Sequence, residues 1–208
     1  KRRIAAMAVF CAVLSGTGAA QESSPPASRV PEALKPYVKI DAPILVLEHV
    51  RVIDGTGAPA RDDQEVVIED GRIVFVGLQY VAPPPPPGAT LLNLTGKTVF
   101  PGLVGMHEHL FYPLPDGGPG LLPLYGEMAD SAPRLYLAAG VTAARTAGSL
   151  EPYTDISIKQ AIDAGQMPGP KLFLPGPDLE GAPAIGPQLH TLTGPDDAAR
   201  TVDYWSAV

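Results

Sequence analysis

The chain has 208 residues, 45% of them hydrophobic and 18% charged. That is enough apolar material for a packed core and too much for disorder throughout, and the length suits one or two domains. The formal net charge is −7 and the pI is near 5.0; with no basic patch or stripe beyond the first three residues, a nucleic-acid partner is excluded.

Lys1, Arg2 and Arg3 open the chain, Ile4 to Leu14 is an apolar run, and Gly18-Ala19-Ala20 precedes Gln21. A basic start, a short apolar stretch and a small-residue exit make up a secretory signal peptide over residues 1–20. The run is too short for a permanent anchor, so no stable membrane span is expected after cleavage. The single cysteine, Cys11, lies inside this segment, and Phe10 stands where a lipoprotein anchor needs a small residue. Export to the periplasm or the exterior is expected, with cleavage after Ala20, and N-terminal sequencing of exported protein that began at Lys1 would reject it. Removal of three cations and no anions takes the charge from −7 to −10, still an acidic, soluble chain.

Residues 21–43 are rich in Ser, Pro and Ala and read as a linker or loosely packed arm. From Ile44 the texture becomes that of short strands. Ile44 to Leu47 and Val50 to Ile53 are apolar, Val66 to Glu69 is a second strand, and Arg72 to Gly77 a third. Asp70-Gly71 between the last two is a hairpin dipeptide, because both central positions of a type I′ turn need positive φ. Pro83 to Pro87 reads as a stiff surface connection rather than a ligand for a peptide-binding domain. Ala89 to Leu94 is a further strand and Gly96-Lys97 a turn. Residues 44–98 are therefore predicted to form a small β-sandwich or meander.

Thr98 to Met106 is almost wholly apolar, the composition of a strand buried on both faces in a parallel sheet or barrel. A Pro- and Gly-rich loop follows, from Pro113 to Pro123. Ser131 to Ala139 is a predicted helix with Gly140 as its stop, Val141 to Arg145 a strand, Thr154 to Ala164 a helix stopped by Gly165, and Lys171 to Leu174 a strand. A last helix opens at Thr193-Gly194-Pro195-Asp196. This alternation predicts βα units and a parallel sheet over residues 99–208. About three units are present, where a (β/α)₈ barrel needs eight. The predicted fold is thus α/β, an incomplete TIM (β/α)₈-type barrel preceded by a small N-terminal β-sandwich segment.

The chemistry-bearing stretch is Gly105-Met106-His107-Glu108-His109-Leu110. Residues i and i+2 of a strand share a side, so His107 and His109 should project together and Glu108 away from them. Two imidazoles at the carboxyl end of a barrel strand are placed to bind a divalent metal. The His-Glu-x-x-His protease motif is different, because it needs its histidines four apart on a helix. The last histidine, His190, reads as a surface residue in the loop before the final helix, and His49 as structural or exposed in the sandwich.

The stretch Val99-Phe100-Pro101-Gly102-Leu103-Val104-Gly105-Met106-His107-Glu108-His109 resembles the first barrel strand of the amidohydrolase superfamily. Val50 to Gly57, Val67 to Ile73 and Leu94 to Val99 resemble that superfamily's N-terminal β-sandwich leading into strand one. Ala139-Gly140-Val141-Thr142 with Arg145 resembles strand two of its imidazolonepropionase-like group, and Ile162 to Gly165 with Pro168 to Lys171 the helix and strand that follow. The resemblance covers residues 44 to 208, the family's N-terminal portion. It implies a metal-dependent amidohydrolase that cleaves non-peptide C–N bonds of a small amide, cyclic amide or dipeptide-like substrate. It also implies a divalent metal, zinc first, as one or two ions, with His107 and His109 as ligands. In the family the metal activates water and polarises the scissile carbon, and a late aspartate moves the proton. The remaining ligands, a lysine, two histidines and that aspartate, come from later strands; Lys159 and Lys171 do not stand at the lysine position. The residues that catalyse and bind substrate are therefore unassigned here, and a truncated chain, inactive by itself, is expected. Arg145 is followed by Thr146 where many relatives carry an acidic residue, so neither is given a catalytic role. The partner is a small-molecule substrate, and an oligomer is compatible with the sequence. A second reading, of another class, is a non-catalytic exported remnant whose sandwich binds a ligand or partner.

Overall fold

The computed structural model describes residues 30–113, 125–183 and 188–208. The expected signal segment, Cys11 and nearly all of the Pro113–Pro123 loop lie outside the described residues.

Five strands come first: β1 (Ile44–Val52), β2 (Arg61–Glu69), β3 (Arg72–Leu78), β4 (Thr90–Asn93) and β5 (Thr98–Val99). Asp70 and Gly71 take φ of 49° and 75°, the left-handed pair a type I′ turn requires, and Glu69 faces Arg72 across the hairpin. The order is β3-β2-β1-β4, with β5 also pairing β1. β2 runs antiparallel to β1, while β4 and β5 run parallel to it. Among the described residues this segment is one mixed sheet, where a two-layer sandwich or meander was the sequence expectation. The reason is the connection after β3, which includes Pro83 to Pro87 and carries the chain from one sheet edge to the other. Val50, Val52 and Val66 form the buried center of its apolar face, with Leu47, Ile68, Val76, Leu94 and Val99 packed on them.

The βα part follows with β6 (Leu103–Glu108), β7 (Phe111–Pro113), β8 (Tyr125–Glu127), α1 (Ser131–Ala138), β9 (Val141–Thr146), α2 (Pro152–Asp163), β10 (Lys171–Phe173), β11 (Leu179–Glu180), β12 (His190–Thr191) and α3 (Pro195–Ala207). β6, β9 and β10 form a parallel sheet in the order β10-β9-β6, as the strand–helix alternation predicts. α1 and α2 are the crossovers; both carry proline early, where its missing N–H costs nothing. Their apolar faces bury Ala132 and Ile158 against Ala144 of β9, Leu172 of β10 and Leu110. At about 25 cal/mol per Å² of apolar surface, such burial dominates the stability of this half.

Two expectations need correction. The apolar run Thr98 to Met106 is not one strand buried on both faces. Pro101 cannot donate to a ladder, and the chain breaks there, giving β5 to the first sheet and β6 to the second. Leu103, Val104 and Met106 are 49%, 60% and 68% exposed, because β6 is an edge strand among the described residues. The second correction concerns the arm. Its end folds into a 3₁₀ turn, Glu32–Tyr37, where the Tyr37 ring receives the Arg134 guanidinium 5.2 Å from its centroid, and Pro31 and Leu34 approach Gly165. This end of the arm therefore packs on the βα part. No helix among the described residues is long and apolar enough to cross a membrane.

Candidate metal centre

The site is built where β6 ends. Its register against β9 slips between Gly105 and Glu108: Gly105 pairs Ala144 and Glu108 pairs Thr146. Three steps on β6 thus match two on β9, which is a bulge, and a bulge re-aims side chains. Glu108 folds back over Gly105, where a Cβ would collide with the Glu108 carboxyl; only glycine leaves that space. The strict strand period that would send Glu108 away from the histidines is therefore broken. Glu108 borders the same cavity as His107 and His109, so the expectation that it faces away is corrected.

That cavity has a volume of about 600 Å³. The rings of His107 and His109 stand edge to face with centroids 5.3 Å apart, and His109 also leans on Phe111 at 4.6 Å. Both imidazoles reach the cavity at the carboxyl ends of parallel strands. Tyr136 of α1 holds the His109 backbone at two points: its hydroxyl donates to the His109 carbonyl at 2.7 Å and accepts from the His109 N–H at 3.3 Å. Burial pushes the Tyr136 phenol up to about 12, with Glu108 adding to the rise and the His109 contact opposing it, so it remains a donor. Leu110, fully buried, anchors the next residue in the core. The far wall carries Asp178 and Glu180.

Behind His109 lies a pair of carboxyls that the sequence reading missed, Glu127 at the end of β8 and Asp155 in the first turn of α2. Asp155 is 2% exposed. Burial, then the Asp155 charge and its hydrogen bond, pushes Glu127 up to about 8. Burial also raises Asp155, while Ser149, Glu127 and the His109 ring pull it back down. Near neutral pH Glu127 therefore keeps its proton. An unfolded Glu127 would ionise near the ordinary 4.5. The stability tied to its proton is then fully present below that value and is lost as pH rises through about 8. Glu127→Gln, which cannot ionise, should melt about 2–4 °C above the native chain at about pH 9, the shift that about 1 kcal/mol gives at this size. No gap is expected at about pH 4. Calorimetric melts at both pH values check this, and a gap that did not grow with pH would refute it.

The donor set fits a divalent metal in part. Two imidazoles are zinc donors, whereas catalytic zinc takes three protein ligands and an open position. Among the described residues no three or more His, Cys, Asp or Glu side chains group as a metal cluster, so His107 and His109 can supply part of a ligand set. The other two histidines lie elsewhere. His49 is exposed and pairs its Nδ1 with Asp63 at 2.7 Å. His190 sits in the short strand β12, exposed, its Nε2 3.3 Å from the Thr201 hydroxyl.

Comparison of the sequence with protein-family models and with curated proteins gives no match. Solved structures do match. A protein of Bifidobacterium longum provisionally assigned as a prolidase is 27% identical, with a TM-score of 0.57 over 80% of this chain and 39% of its own. A Xaa-Pro dipeptidase with bound methionine in its active site is 18% identical, with a TM-score of 0.59 over 79% of this chain and 44% of its own. The ochratoxinase of A. niger is 17% identical, with a TM-score of 0.57 over 80% and 45%. The chain has the fold of the amidohydrolase superfamily. It spans 39–45% of the length of these solved structures.

Proposed function

We propose that this chain supplies His107 and His109 as the first two ligands of a divalent metal centre, zinc first, in an exported amidohydrolase. In this reading the β6, β9 and β10 units are the opening units of a (β/α)₈-type barrel, and the rest of the protein provides the remaining ligands. The observation that carries it is the convergence of both imidazoles on one cavity at the carboxyl ends of parallel strands, the end where barrel enzymes do their chemistry.

The metal, when bound, supplies a water acidic enough to attack at neutral pH and a Lewis acid for the scissile carbonyl. The chain's own residues do the holding. His107 and His109 offer ring nitrogens, and Tyr136 fixes the backbone from which His109 projects. Phe111, Tyr125 and Leu150 give the cavity apolar wall, which suits the acyl or ring portion of a small amide. The charged groups on this part of the wall, Glu108, Asp178 and Glu180, are all acidic, so a substrate's own carboxylate would be held by other parts of the protein. A C–N bond in an amide, cyclic amide or dipeptide-like molecule is the substrate class, supported by solved relatives whose names are prolidase and Xaa-Pro dipeptidase. The test is metal dependence. Chelation of the full protein should abolish hydrolysis of an amide and dipeptide panel, and zinc should restore it; full activity after chelation would overturn the reading.

A further inference from the structure

The cavity that holds the histidine pair carries carboxylates, with no ammonium or guanidinium group in its described lining. Glu108, Asp178 and Glu180 border it. Residues 107–127 and 178–190, which supply all of the lining except Tyr136 and Leu150, contain no lysine or arginine. Asp178 and Glu180 are fixed through their backbone: the Asp178 N–H donates to the Ser149 carbonyl at 3.0 Å, and the Leu192 N–H donates to the Glu180 carbonyl at 2.7 Å. The Asp178 carboxyl also lies over Gly148, at φ 119°, where a Cβ would overlap it, so the glycine provides its seat. Both acids are partly buried, and among the described residues no lysine, arginine or histidine pairs with either. Fixed, partly desolvated carboxylates without a counter-charge favour a cation brought by a ligand. Phe111, Tyr112 and Tyr125 line the same cavity, and aromatic faces attract organic cations.

We propose that Asp178 and Glu180 receive an ammonium group of the substrate, so that the amide or dipeptide-like molecule cleaved here carries a free amine rather than an acylated one. The proposal rests on the hydrolase reading above and narrows its substrate class. A free amine is protonated near neutral pH and brings a positive charge with several N–H donors. Two carboxylates two residues apart can each accept one of those donors in a charge-assisted hydrogen bond. An acylated nitrogen has lost the charge. Bound in the same place, it would leave both carboxylates desolvated and unpaired, and that difference is what makes the wall selective. The apolar and aromatic wall takes the carbon skeleton beside the ammonium.

Calorimetric titration of the full, metal-free protein with leucinamide and with N-acetyl-leucinamide reads this preference without hydrolysis. Leucinamide should bind about 10-fold more tightly, the size of one hydrogen bond to a charged group. Asp178→Asn and Glu180→Gln, isosteric and uncharged, should each weaken leucinamide about 10-fold and leave N-acetyl-leucinamide unchanged. Should Asp178→Asn fold poorly by circular dichroism, Glu180→Gln and the native preference still decide. Equal affinities in the native protein, no binding of leucinamide, or a preference unchanged in the folded variants overturns the proposal. Loss of zinc from either folded variant by elemental analysis also overturns it, because the carboxylates would then be metal ligands. Because the titrations use no metal, the two readings fail separately. An amine preference that depends on these carboxylates in a protein that binds no zinc rejects the metal centre alone. Zinc at the histidines with no amine preference rejects the ammonium site alone.

Discussion

Replacing His107 or His109 with asparagine in the full protein should strip most of the bound metal and lower hydrolysis by at least about 100-fold. Changing merely an outer partner of a metal-bound histidine costs about 10–100-fold, so loss of the ligand itself costs no less. Asparagine is polar and of similar size. At His107, an exposed position, the fold should be untouched. At His109 it keeps the backbone contacts with Tyr136, which involve only the His109 carbonyl and N–H. What it lacks is an imidazole nitrogen, and with it the donor strength that keeps a bound water acidic near neutral pH. Glu108→Gln is no neutral comparison, because the bulge brings Glu108 to the cavity beside Tyr136. His190→Asn serves instead: His190 is exposed and does not line this cavity, so metal and rate should stay at native levels. Elemental analysis with hydrolysis rates decides, and full metal with full activity in both His107 and His109 variants would sink the proposed centre.

Leu172→Ala should cost about 2–5 kcal/mol, the range for truncating a fully buried leucine. In a chain of this size that lowers the melting midpoint by about 4–20 °C. Leu172 is 1% exposed at the centre of β10, and it packs in one cluster with Leu110, Ala132, Ala144 and Ile158. The strand core is closed on this side by α1 and α2, so little can collapse into the space left behind. Leu103→Ala, at a site 49% exposed, should cost much less. Thermal melts of both variants check the contrast, and equal midpoints would show that this cluster is not the core of the βα part.

The core of that part was legible because it rests on local patterns. The Gly140 and Gly165 stops, the apolar spacing of Ile158 and Ile162, and the short strands at Val141 and Lys171 come out within a residue or two of α1, β9, α2 and β10. The Asp70-Gly71 turn was legible for the same reason, since two adjacent left-handed residues are a property of the dipeptide. Glu127, Asp155 and Tyr136 were not. Glu127 and Asp155 lie 18 and 46 residues from His109, and no periodicity links a β8 carboxyl, an α2 carboxyl and an α1 phenol to one imidazole. Their only local trace was Asp155 as an acidic residue near a helix start, which ordinarily reads as a favourable dipole partner.

By itself the sequence determined the run of short strands followed by strand–helix alternation, the parallel pairing of the βα strands and the placing of a histidine pair at a strand's end. Each of these follows from spacing, composition or turn chemistry within a few residues. Tertiary structure decided which way the side chains at that end face. The slip between β6 and β9 is a two-strand event, and it turned Glu108 into the cavity although the one-strand period sends it out. Tertiary structure also decided that β4 and β5 lie parallel to β1, that the arm's end packs under Arg134, and that two carboxyls are sealed behind His109. Pairing register and burial depend on residues far apart in the chain, whose free energy is set by what they meet in space rather than by their neighbours in sequence.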